Sequence, residues 1–480
     1  MNWNFNKLLI IKIILSILFF ISFYIFWDFF MLFPMGFMGD DSYFYTQLAY
    51  NIGVYKFSSW DGINLTNSYH LLWQGIISLV SLFLSFFTNV KEHHLMGHIF
   101  IYFFILFVFL KYYSRNYLDS LVLVSIIISG YLLLDNITVI VLLFIIYKEF
   151  EKYIENKKFS FLLIFAFFLI PLARIDAIAI VGFIPFFFLL KTKEKFYFYL
   201  LLSLLLGLLV NLSIYYLIAG EFYSVSSYVK MNQNLTNTMQ HRIVKNVIYT
   251  NFFPLGWLTL KMRGYVLFAF FIIFLINSLV LKKKQSILFW GLFVGLYSYF
   301  FINFFSNFID TWYYSVMFAS LFILLQLINM NNFIKIIPLT FLYLFIISLF
   351  FGKFYNAAKN FDYRKEYTND INKIENYIPQ NSKIYQNDLS GHLSFYSKIR
   401  VINGDGRVNS FKYANALLNN DLSNYLIKNK ICFLTDIFTQ KANNKKVLIN
   451  QSGLLVTFKD TNLIKKFKHF SVYKIKKCND

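Results

Sequence analysis

The residues whose chemistry stands out first are Asp40 and Asp41. Adjacent carboxylates repel one another, which raises the proton affinity of one of them. Such a pair suits a general base with an orienting partner, or a metal pair. The plainer alternative is that both acids settle the N-terminus of the helix that begins there. The following stretch, SYFYTQLAYNI, puts Tyr43, Gln47 and Tyr50 near one helical face and Phe44, Leu48 and Ile52 on another, so it reads as an amphipathic helix at a membrane interface. Arg174 and Asp176 form a second constellation just past an apolar run. They are read either as an ion pair tying two helices or as a phosphate-binding arginine with its partner. Lys230, His241, Arg242 and Lys245 supply cations to the segment 220–262. Those charges suit either a bound phosphate group or anionic headgroups.

Other polar residues read more plainly. His70 is a hydrogen-bonded interfacial histidine. His94 and His98 have helix-compatible metal spacing, but no carboxylate completes a site, so no metal and no cofactor is expected. Trp312, Tyr313 and Tyr314 read as an aromatic belt, with stacking on a ligand as the sharper alternative. Asp405 and Arg407 read as residues of a stabilised turn. Cys432 and Cys478 are the only cysteines and pair if their region is exported.

The elements that must position these residues are mostly apolar. Hydrophobic residues make up 58% of the 480, charged residues 14%, and Phe alone numbers 62. Soluble domains carry roughly 25% charged residues, so composition argues against a soluble enzyme and against a disordered chain. The formal charge of +21 gathers in short clusters between apolar runs, which points to membrane topology rather than to nucleic acid. Runs at 13–34, 98–112, 118–134, 137–149, 159–173, 177–190, 196–219, 264–281, 286–305, 312–330 and 333–351 are read as spans, the first as an uncleaved helix with its start, at Lys7 and Lys12, in the cytoplasm. A further run, 71–88, is read as a juxtamembrane or re-entrant helix, because only then do the basic connectors at 111–116, 148–158, 191–195 and 282–285 all fall inside.

The expected fold is therefore an α-helical polytopic membrane protein of about eleven transmembrane helices plus outer juxtamembrane helices. Residues 35–97 and 220–262 form outer loops. The polar tail, 352–480, with alternating KIYQND and KKVLIN and turn residues at 403–406, is read as a small extracytoplasmic α/β domain.

GDDSYFY at 39–45, followed by DGINLTNSYHLLW at 61–73, resembles the first outer loop of GT-C glycosyltransferases. These are multi-span enzymes that use polyprenyl-phosphate-linked sugars and include protein O-mannosyltransferases and aminoarabinose transferases. The pattern is most similar to the bacterial family-39-like branch, with Ser68 in place of its usual Gly and Leu71 in place of its Pro. LARID at 172–176, the stretch 211–230 with Val225 where proline is usual, TWYY at 311–314 and GHLSFYSKIRVINGDGRVNS at 391–410 continue the resemblance in order. At 133–136, LLDN offers Asp135 where the family has a Glu.

The resemblance implies a GT-C transmembrane domain over 1–351 in the cytoplasmic membrane and inverting transfer of a sugar to a lipid, glycan or protein acceptor. It implies Asp40 as base, with Asp41 as backup or orienting residue. With the residue-level reading, the expected substrate-binding set is Tyr43, Tyr45, Asn67, His70, Asp135, Arg174, Asp176, Lys230, Arg242, Trp312 and Tyr313. Expected partners are the polyprenyl-phosphate sugar donor, the acceptor and membrane lipids, with no nucleic acid. The competing class is a multi-span transporter or flippase of envelope glycolipids. It would favour paired halves with charges at mid-membrane, whereas here the ionisable residues gather at span ends and in the first outer loop.

Overall fold

The computed structural model describes residues 38–114, 117–129, 132–233, 283–305 and 311–327 and, in the tail, 361–379, 381–387, 389–435 and most of 439–478. The expected spans 13–34, 264–281 and 333–351 lie outside the described residues, as do His241, Arg242 and Lys245. The described helices before the tail are α1 (Asp40–Tyr55), α2 (Leu71–Leu84), α3 (Lys91–Tyr113), α4 (Tyr117–Ser129), α5 (Asn136–Asn156), α6 (Phe161–Ala173), α7 (Ile178–Thr192), α8 (Lys195–Ala219), α9 (Val225–Gln233), α10 (Lys283–Phe305) and α11 (Thr311–Leu327).

Among the described residues, α3 and α8 are long and apolar enough to cross a membrane; α2, α6 and α7 are apolar but shorter. At 1.5 Å per residue α2 is about 21 Å long, less than the roughly 30 Å hydrocarbon layer. Outward faces carry large exposed apolar side chains, including Phe100, Phe104 and Phe107 of α3 and Leu205, Leu209 and Leu217 of α8. Apolar side chains exposed along two helices long enough to span a bilayer suggest membrane association. Inside, one apolar core runs from Tyr43 through Tyr299 to Leu327. Small residues let the helices approach: a Cβ on Gly295 of α10 would collide with the Ile180 carbonyl of α7. Between α6 and α8, the Ser203 hydroxyl donates to the Ile164 carbonyl at 2.7 Å and the Asn211 amide to the Pro171 carbonyl at 2.8 Å, the latter satisfying one of the carbonyls left free at the C-terminus of α6.

The tail adds α12 (Phe361–Lys373), β1 (Lys383–Gln386), α13 (Ser390–Tyr396), β2 (Arg400–Asn403), α14 (Phe411–Leu418), α15 (Leu422–Lys428), β3 (Phe433–Thr435), β4 (Thr439–Ala442), β5 (Lys446–Gln451), β6 (Leu454–Lys459), β7 (Thr461–Lys466) and β8 (Ser471–Ile475). Its main sheet has the order β2-β1-β3-β8-β7, and β4-β5-β6 form a separate antiparallel meander. Strand β1 runs parallel to both β2 and β3, while β8 is antiparallel to β3 and β7. Helix α13 and the pair α14–α15 make the parallel crossovers, as such connections require. The tail has its own apolar core, with Ile384, Tyr385, Val401, Leu434 and Val472 at its centre. Cys432 and Cys478 are disulfide-bonded.

One expectation is corrected here. Helix α1 is not an amphipathic helix lying at an interface: every residue from Ser42 to Asn51 is buried. Both of its predicted faces are covered, because the tail packs on one side and α2 on the other.

Candidate functional site

Helix α1 begins at Asp40, and the two acids occupy its first turn, where the helix dipole favours them. They are not its hydrogen-bonding cap: the Ser42 hydroxyl accepts from the Gly39 N–H at 3.2 Å and donates to the Leu132 carbonyl at 2.6 Å. Helical periodicity then separates them. Asp41, Phe44, Tyr45 and Leu48, at i, i+3, i+4 and i+7, line a cavity of about 680 Å³. Asp40 is not among the residues lining that cavity; its carboxylate accepts from the backbone N–H of His392 in the tail at 3.1 Å.

The second wall comes from the connector before α5. Leu133 is in the left-handed region at φ 62°, a strained state for a branched residue that surrounding contacts must hold. The Trp73 indole N–H, donating to the Leu133 carbonyl at 2.8 Å, supplies one such contact. The pinned connector delivers Asp135, whose carboxylate receives the Tyr45 hydroxyl at 3.4 Å and Arg174 Nη1 at 3.3 Å and lies 3.7 Å from His70 Nε2. Arg174 also grips Asp176 in a fork, Nε to Oδ1 at 2.9 Å and Nη2 to Oδ2 at 2.7 Å. Both readings of this arginine therefore have a physical basis: it is a buried ion pair and it lines the cavity. Enclosure pushes the His70 imidazole below its ordinary pKa, with Asp135 pulling the other way. Burial, and then the Asp135 charge, push the Tyr45 phenol well up, so it stays a neutral hydrogen-bond donor.

The third wall joins α9 to the tail. Lys230 and Met231 of α9 line the cavity together with Ser224, Ser226 and Ser227. From the tail come Asp405, Arg407 and Val408, on the turn after β2 in which Gly406 has φ 76° and the Arg407 N–H donates to Asp405 Oδ1 at 2.8 Å. The Ser68 hydroxyl ties these walls, donating to the Arg407 carbonyl and accepting from the Ser226 N–H at 2.8 Å. Ile175, Ile178, Ala179 and Ile302 give the cavity an apolar side.

Of the expected site residues, Asp41, Tyr45, His70, Asp135, Arg174, Asp176 and Lys230 come together around this cavity. Three do not line it. Tyr43 packs on the tail rings of His392, Phe395 and Tyr396. Asn67 is a tether: its amide donates to the Tyr215 and Tyr223 carbonyls at 3.3 and 3.0 Å and its oxygen accepts from the Val225 N–H at 3.1 Å. Asp40 is bound to the tail as described. Trp312 and Tyr313 start α11, and only their backbone is described; Arg242 lies outside the described residues. His94 and His98 are hydrogen-bonded to the Thr88 carbonyl and the Ser81 hydroxyl. No protein-family model matches the chain, and no curated protein is significantly similar to it.

Sequence reasoning underrated Arg407 and Asp405, treating them as turn residues only. They do form the turn, and the turn reaches the cavity. The available signal was that GDGR follows a strand on the face of the chain assigned to the same side as Asp41.

Proposed function

We propose that this protein is an integral membrane glycosyltransferase of the GT-C type, moving a sugar from a polyprenyl-phosphate-linked donor to a glycan, lipid or protein acceptor on the outer side of the cytoplasmic membrane. The reading carries with it a transmembrane domain over 1–351 of about eleven spans and an extracytoplasmic tail. The observation that supports it most is convergence. Segments 41–48, 134–135, 174–179, 224–231 and 405–408, far apart in the chain, meet on one cavity with a carboxylate, cations and an apolar side. That set matches what transfer from a lipid phosphate needs.

Asp41 takes the role first expected of Asp40, because its helical face is the one turned to the cavity. In the reaction the Asp41 carboxylate accepts the proton of the acceptor hydroxyl, whose oxygen attacks the sugar C1. The bond from C1 to the phosphate oxygen breaks with inversion, and the prenyl phosphate leaves with that electron pair. Lys230 and Arg407 offset the charge on the departing phosphate, and the Ile175–Ala179 side accommodates apolar chain. The Tyr45–Asp135–Arg174–Asp176 network holds the floor beneath these groups.

The test is transfer of radiolabelled sugar from polyprenyl-phosphate donors by the full chain in lipid nanodiscs. Asp41→Asn is expected to lower kcat at least 1000-fold with normal membrane insertion. Undiminished turnover in that variant sinks the assignment.

A further inference from the structure

The two neighbouring acids face different partners, and the one outside the cavity meets the tail. Asp40 Oδ1 accepts from the His392 N–H at 3.1 Å. The preceding residue is Gly391, and a Cβ there would stand 2.6 Å from the Asp40 carbonyl oxygen and 2.8 Å from Oδ1. Only glycine lets α13 come this close. The contact is reinforced on both sides. Tyr43, one turn along α1, packs against His392 at 5.0 Å and Phe395 at 5.7 Å between ring centroids. Arg364 Nη1 donates to the Met38 carbonyl at 3.2 Å, and Lys91 Nζ donates to the Ser394 and Ser397 carbonyls at 2.9 and 3.3 Å. The His392 imidazole is held from inside the tail by Thr368 Oγ1 at 2.9 Å. The same tail delivers Arg407 to the cavity at a second contact with the helical region, where the Thr66 hydroxyl donates to the Asn409 carbonyl at 2.8 Å.

We infer that Asp40 is a positioning residue, the acceptor that seats α13 of the tail on α1 and thereby fixes Arg407 opposite Asp41. The tail is then a wall of the reaction cavity rather than an appended module, and the paired acids divide their work: one faces the reacting atoms and the other fixes the wall that faces them. The activity arm of this inference rests on the glycosyltransferase reading; the seating arm does not.

Amide hydrogen exchange over 389–397 and 404–409, measured on the full chain in nanodiscs beside donor KM and kcat, separates the roles. Asp40→Asn keeps an oxygen that accepts the His392 N–H, so exchange stays close to wild type and kcat falls less than tenfold. Asp40→Ala removes the acceptor, and Gly391→Ala wedges the contact while leaving both carboxylates in place. Both are expected to speed exchange at 389–397 at least tenfold and to raise donor KM at least tenfold, with kcat changed less than KM. Should Gly391→Ala not accumulate, Asp40→Ala carries the comparison. Asp40→Asn with wild-type exchange and no turnover overturns the inference, because the residue would then be acting on protons. Unchanged exchange in Asp40→Ala also overturns it. If wild-type protein transfers no sugar, the reaction reading falls, and the exchange data alone decide for or against the seating.

Discussion

Arg174 reaches Asp135 across two connectors that are 39 residues apart, Nη1 to Oδ2 at 3.3 Å, while the rest of its guanidinium holds Asp176. The arginine is only 2% exposed. Burying a cation is tolerable because two carboxylates surround it, and removing it leaves both acids in a desolvated place. Arg174→Ala is therefore expected to destabilise the protein by about 3–5 kcal/mol and to abolish transfer. Arg174→Lys keeps the charge but not the planar fork, so it does not restore the grip on Asp176. Thermal unfolding in detergent, read beside activity, checks both; a fully stable Arg174→Lys would show that the fork is dispensable.

Lys230 and Arg407 enter the cavity from separate elements, α9 and the turn after β2. If they hold a phosphate, each substitution should weaken the donor rather than slow the proton transfer. Lys230→Ala is expected to raise donor KM about tenfold, the worth of one charge-assisted bond of roughly 1.5 kcal/mol. Arg407→Ala should do the same. A change confined to kcat, with KM untouched in both variants, contradicts the phosphate role.

Much of this site was legible beforehand, for physical reasons that differ by residue. Asp41, Asp135, Arg174 and Lys230 stood out because ionisable groups beside apolar runs are costly and stay only where something holds them. Helix positions followed from apolar runs, so 196–219 and 286–305 agree closely with α8 and α10. The choice between Asp40 and Asp41 was not legible. The 3.6 period does place 41, 44, 45 and 48 together, but it does not say which face meets a cavity and which meets another part of the chain. That depends on the docking of α13, some 350 residues away. For the same reason Asn67, buried and tied to α9, looked like a ligand residue: a polar side chain that bonds backbone at long range has no local sequence signature.

The seat of the tail should be acid-sensitive. Burial, with the nearby Arg364 charge acting in the same direction, lowers the His392 imidazole to about 3. An unfolded histidine protonates near 6.5. Between those values the unfolded state binds the proton and the folded state does not, so stability is full above about 6.5 and falls as pH drops through the window. By pH 4.5, two units below the unfolded value, the loss is on the order of 3 kcal/mol. His392→Asn has no such proton to take up. The Tm difference between pH 7 and pH 4.5 is expected to be larger for wild type than for this variant. Equal slopes would mean that His392 has the same proton affinity in the fold as in the unfolded chain, and so is not desolvated at the seat.

The Cys432–Cys478 bond ties the start of β3 to the residues just after β8, neighbours in the main sheet. Its Cα atoms are 5.3 Å apart, within the ordinary range for such a bond, and 46 residues separate them. Closing a loop of that length in the unfolded chain removes enough entropy to stabilise the tail by about 4 kcal/mol in the chain-entropy treatment. The loop encloses the meander β4-β5-β6 and strand β7, elements at the sheet edge or outside the main sheet, which gain most from a covalent tie. Reduction with dithiothreitol, or Cys432→Ser with Cys478→Ser, is expected to lower the Tm of the tail transition by at least 10 °C, while the helical region keeps its own transition. A bond of this kind persists in an oxidising compartment. Thiol labelling of the protein from intact cells therefore tests the proposed side of the membrane as well: blocked thiols agree with an extracytoplasmic tail, and freely labelled thiols place it in the cytoplasm and turn the whole cavity to the wrong side for a lipid-phosphate donor.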